Sequence, residues 1–67
     1  MTKFYMMVIT KKTDDQEYEE AENVFVKKSQ LKKYLKSEGY CKETKYQYIK
    51  IQKESMYVAT VEKIKVQ

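Results

Sequence analysis

From Phe4 to Ile9 every residue is apolar or aromatic, so an extended chain there carries Phe4, Met6 and Val8 on one side and Tyr5, Met7 and Ile9 on the other. A strand that is apolar on both sides asks to be covered on both sides. A chain of 67 residues has few elements with which to do it. The same doubling recurs near the end, where Met56 and Val58 alternate with Tyr57, Ala59 and Val61.

The rest of the chain supplies the partners for these two stretches. Residues 3 to 12 read as a strand from their β-branched and aromatic content, and Tyr18 to Lys28, with the run Val24, Phe25, Val26, reads as a second. A helix competes for the second stretch and for residues 14 to 23 before it. Thr13 followed by Gln16 has the spacing of a capping box, and Tyr18, Ala21 and Phe25 share a helical face. Residues 29 to 39 predict a short helix, with Ser29 as its N-cap, Leu31, Tyr34 and Leu35 on one stripe, and Gly39 as its stop. Lys45 to Lys53 and Met56 to Val66 predict two further strands around a tight turn at Glu54 and Ser55. The expected fold is α+β, a single domain over residues 1 to 67. Its order is ββαββ, an antiparallel four-stranded sheet with one short helix packed on one face.

One three-turn helix covers one face of such a sheet, and each large apolar side chain left in water forgoes about 1.5–3 kcal/mol. A domain this small rarely holds more than roughly 3–5 kcal/mol in its core, so association is the expected remedy. Tyr5, Met7, Ile9, Tyr57 and Val61 are the apolar contacts this reading selects. Charge adds to it: residues 1 to 22 sum to −3 and residues 23 to 67 to +7, within a formal net charge of +4. The acidic part contains Glu19, Glu20 and Glu22, which offer complementarity to a basic partner surface. A solvated loop beside a charge-protected edge strand gives the same pattern.

A different class of partner is suggested by Tyr46, Tyr48 and Lys50, which share one side of a strand with Lys42, Lys45 and Lys53 nearby. Aromatics two apart beside cations are what single-stranded nucleic-acid binders use to stack bases and hold phosphates. Against it stand the lack of Arg, the modest net charge and the absence of a glycine-bearing RRM strand motif.

Catalysis is not expected. The chain has no His, no Arg, one Gly and one Cys, so no P-loop, HExxH or GxSxG motif exists. Cys41 lacks a base and a resolving partner, so it reads as a small half-buried residue beside a helix terminus. The acids between Asp14 and Glu22 lack the turn glycine of a calcium loop, and no Cys/His cluster offers zinc its ligands. No cofactor, metal or small-molecule substrate is expected. No membrane span or signal peptide is visible, and with a lone thiol the expected compartment is the cytoplasm. Basic residues that are all lysine suit AT-rich coding DNA, as in a low-GC bacterium or its phages and plasmids. The function that follows is a non-enzymatic adaptor or inhibitor that docks on a larger protein or on itself. The alternatives are a single-stranded nucleic-acid binder and a structural subunit of a homo-oligomer.

Overall fold

The computed structural model of the chain describes residues 2–66. Strand β1 spans Thr2–Lys12 and β2 Glu17–Phe25; helix α1 spans Lys28–Ser37; β3 spans Cys41–Thr44, β4 Gln47–Gln52 and β5 Ser55–Val66. All pair antiparallel in one five-stranded sheet of order β2-β1-β5-β4-β3. The four-stranded ββαββ expectation is therefore corrected to ββαβββ. The additional strand, CKET, is exposed at every position, so no apolar alternation marks it. Only its backbone ladder to β4 defines it, through Cys41↔Ile49, Lys42↔Tyr48 and, after a bulge, Thr44↔Gln47. Residues Lys45 and Tyr46 form the turn between them instead of opening a strand.

The two doubly apolar stretches meet in the middle. β1 and β5 pair over their whole length, from Thr2↔Val66 to Lys12↔Met56, and each is flanked by a further strand. Most of the backbone of the apolar stretches thus lies between two strands, with β2 beside β1 from Tyr5 to Lys12 and β4 beside β5 from Ser55 to Thr60. Because β2 and β3 lie on opposite edges, the chain between them must cross the sheet, and α1 makes that crossing on one face. Leu31 and Leu35, each 1% exposed, project from it onto Met7, Ile9, Tyr48, Ala59 and Val61, which complete the buried core. Phe25 and Tyr34 pack ring against ring at 5.8 Å beside it.

Thr13 and Gln16 do interact, but in a strand-joining loop. The Gln16 N–H donates to Thr13 Oγ1 at 3.1 Å, and the Thr13 N–H donates to the Gln16 carbonyl at 2.8 Å, which closes the β1–β2 connection. The bond that would have capped a helix is thus made where tertiary pairing has claimed Glu17–Phe25 for the sheet. The helix also starts earlier than its sequence suggests. Lys27, in extended conformation, takes the N-cap position without a side-chain bond, and its carbonyl accepts from Gln30 and Leu31. Ser29 lies inside the first turn. At the other end Gly39 behaves as expected, with φ of +86°. Its N–H bonds to the Lys36 carbonyl and that of Tyr40 to the Leu35 carbonyl, the paired bonds of a Schellman cap.

The β4–β5 turn is built at some cost, for Lys53 sits at φ +55° with a side chain that disfavours it. Replacing Lys53 by Gly is expected to raise stability by about 0.5 kcal/mol, the relief of strain exceeding the added freedom of the unfolded chain. The urea midpoint measures it, and a fall in midpoint would mean that the turn is unstrained.

Candidate functional site

With the core face fixed by α1, strand parity defines the other face. It carries Phe4, Met6 and Val8 from β1, Met56, Val58 and Ile64 from β5, and Ile49 and Ile51 from β4, with Val24 of β2 beside Met6. No element of the described residues packs on it. Most of these side chains are half-buried by their neighbours in the sheet, whereas Val24 and Ile51 are 61% and 71% exposed. Thr10, Thr60 and Glu62 interrupt the apolar area without dividing it into separate strips. Cys41, opposite Ile49, stands at its β3 margin as a free thiol, and the half-buried expectation is corrected to exposed because this edge strand touches no core.

The acids sort by face as well. Glu22 lies opposite Val8, Glu19 opposite Thr10 and Glu17 opposite Lys12, so all three border the open face. Glu20 is the residue left over at the β1–β2 irregularity, and its charge is felt on the helix side, by Lys11 and Tyr40. Lys12 and Glu17, 3.9 Å apart, make the one ion pair among the described residues, so Glu19 and Glu22 have no cation within that reach.

The contact residues chosen from sequence therefore divide. Met7, Ile9 and Val61 are 0%, 5% and 8% exposed under α1, and Tyr5 and Tyr57 pack against the same core. Met7, Ile9 and Val61 are therefore corrected as contacts for a partner, because the helix covers them, while Tyr5 and Tyr57 are half-buried on the same side. The helix-free face carries Phe4, Met6, Val8, Ile49, Ile51, Met56, Val58 and Ile64 instead. The interleaved Thr10, Thr60 and Glu62 could have identified this parity as the one left to water, since the core parity of β1 and β5 keeps its charges at the ends.

The helix side is not covered along its whole length either. Ten helical residues span about 15 Å, and the twelve residues of β5 about 40 Å. At one uncovered end Lys50 lies 4.9 Å from the Tyr40 ring centroid and 5.0 Å from that of Tyr57, with Lys11 5.6 Å from Tyr57. Burial, helped by neighbouring Tyr34 and Glu20, pushes the Tyr40 hydroxyl up to about 12. Its folded form thus holds the proton more tightly than the unfolded chain, and the stability this gives is present below pH 10 and lost as pH rises to about 12. Tyr40→Phe is expected to flatten that part of an alkaline unfolding curve, relative to the parent chain.

At the other end, Tyr5, Lys28, Leu31, Lys45, Tyr46, Tyr48, Val61 and Lys63 line a cleft of about 150 Å³. Tyr46, 51% exposed, and the edge of buried Tyr48 are both here. Lys50 is not, having been drawn to Tyr40 and Tyr57. The Tyr46, Tyr48 and Lys50 constellation is thus split. Lys28, Lys45 and Lys63, which the sequence does not bring together, stand where Lys50 was expected.

No family model, no curated protein and no solved structure matches the chain. No group of three or more His, Cys, Asp or Glu side chains among the described residues is placed to hold a metal ion. No helix among the described residues is long and apolar enough to cross a membrane.

Proposed function

We propose that the chain is a non-enzymatic protein-binding domain, an adaptor or inhibitor, which seats the helix-free face of its sheet on a larger protein. The observation that carries this is the contrast between the two faces. One is closed by Leu31 and Leu35, and the other presents eight large apolar side chains with no cover. The molecule is a slab of 42 × 21 × 17 Å, whose broad side is comparable with the roughly 800 Å² that each partner contributes to a standard interface. A monomer rarely keeps so large an apolar patch in water.

Charge selects the kind of partner. Glu17, Glu19 and Glu22 border the face and Glu62 lies within it, while Lys12 is already engaged by Glu17. Two copies meeting face to face would bring these acids together and bury both Glu62 carboxylates. A foreign protein with an apolar patch rimmed by Lys or Arg meets the same surface favourably. The lone thiol at Cys41 suits the reducing cytoplasm.

Cys41 also provides the test, because it is the sole cysteine and borders the face. A photo-crosslinker attached there, activated in host lysate, is expected to join the chain to one dominant protein with a basic-rimmed apolar surface. Crosslinks only between copies of the chain would reassign the face to homo-oligomer assembly. Diffuse labelling with no dominant product would overturn docking altogether.

A further inference from the structure

Besides the open face, we propose that the lysine and tyrosine cleft between the start of α1 and the β1–β5 end of the sheet binds single-stranded nucleic acid, through phosphate contacts to Lys28, Lys45 and Lys63 and base stacking on Tyr46. The cleft is one end of a larger cationic surface. On the same side of the sheet Lys3 lies directly opposite Lys65, and Lys63 lies opposite Tyr5. Like charges placed opposite one another across a ladder destabilise it, and among the described residues none of these lysines is in an ion pair. The field is strong enough to hold the Lys63 ammonium below its ordinary pKa, first through Lys3, then through desolvation, Lys65 and Lys28. Meanwhile six acids lie between residues 14 and 22, towards the opposite end of β1.

The shape of the surface chooses among anions. A cavity of about 150 Å³ takes one phosphate or the edge of one ring, too little for an enclosed nucleotide. Lys63, Lys65 and Lys3 continue the cations away from it along the paired strands, which suits a linear ligand with repeated negative charge. Tyr46, half exposed with Lys45 Nζ 5.5 Å from its centroid, adds an aromatic platform. Linear polyanion plus stackable rings describes a single strand; in a duplex the base faces are already stacked and closed to a tyrosine. Without arginine forks the recognition is expected to tolerate sequence.

Fluorescence anisotropy with a labelled single-stranded DNA of about 15 nucleotides tests this. Affinity is expected to fall steeply with salt, Lys63→Gln to lower the salt slope by about one, and Tyr46→Ala to weaken binding about tenfold. Lys32→Gln, on the exposed side of α1, is expected to change affinity less than about twofold. Circular dichroism confirms that each variant is folded. The proposal is overturned by an absence of binding at low salt, or by equal losses from Lys32→Gln and Lys63→Gln. It is equally overturned by an unchanged affinity in Tyr46→Ala, or by a duplex or a phosphopeptide that competes more strongly than the single strand.

Discussion

Leu35→Ala is expected to leave the chain largely unfolded at 25 °C, or close to its midpoint. Leu35 is 1% exposed, and with Leu31 it is one of two fully buried side chains that the helix contributes to the core. Truncating a buried leucine costs about 2–5 kcal/mol, depending on how far the site can collapse. A core of this size supplies only about 3–5 kcal/mol in total. Collapse is limited here because the wall opposite Leu35 is a sheet, whose strands are held at fixed spacing by the β1–β5 and β4–β5 ladders. Far-UV circular dichroism against urea measures the loss, with Lys32→Ala on the solvent side of α1 as the comparison, expected to stay within about 0.5 kcal/mol. A loss below about 1 kcal/mol for Leu35→Ala would mean that the helix does not hold the fold together.

That dependence on a few residues explains which parts of the structure can be read from the chain. The helix is legible because Leu31, Tyr34, Leu35 and Gly39 combine a periodic stripe with a conformational stop, and both signals are local. β1 and β5 are legible because each carries apolar side chains on both faces of one stretch, Phe4 to Ile9 and Met56 to Ala59. β3 is not, since Cys41 to Thr44 touch no core and their only specification is a backbone ladder to β4, which has no side-chain signature. The capping pair Thr13 and Gln16 forms its local bond as its spacing suggests, yet the residues after it extend because β1 offers Glu17 to Phe25 a ladder broken only at Glu20. Local chemistry set the bond, and tertiary pairing set the element.

For the candidate site, the surplus of apolar surface follows from parity, and its side is marked in the sequence only by the interleaved Thr10, Thr60 and Glu62. Both parities of β1 are apolar, and in β4 the open positions Ile49 and Ile51 are more apolar than Tyr48 and Lys50 on the helix side. What decides the matter is the path of α1, from the β2 edge to the β3 edge. The three-lysine cleft is equally invisible in sequence, because Lys28, Lys45 and Lys63 come from three separate segments and meet only when the sheet forms.

Val58→Thr, combined with Ile49→Thr, tests the openness of the second face without knowledge of the partner. Both residues lie on the helix-free side and pair with each other across β4 and β5. Threonine keeps the β-branched shape and strand preference; at Val58 a hydroxyl replaces a methyl at nearly equal volume, and at Ile49 it replaces an ethyl group, so some apolar surface is lost as well. On a face open to water that hydroxyl is solvated, and the isolated chain is expected to lose less than about 0.5 kcal/mol per site. Under a docked protein it must be desolvated, at about 1–3 kcal/mol for each hydroxyl left without a partner, or roughly five- to 150-fold in affinity. Because the two residues face each other and their hydroxyls can pair, the two costs do not simply add, and the double variant is expected to weaken capture of the crosslinked partner by at least about fivefold while the urea midpoint barely moves. Glu22→Lys acts differently: it leaves the apolar contact intact and is expected to slow association, with the defect fading as salt rises. A double threonine variant that unfolds more easily by several kcal/mol would show that this face is closed within the chain itself, and the contrast between its two faces would no longer imply a partner.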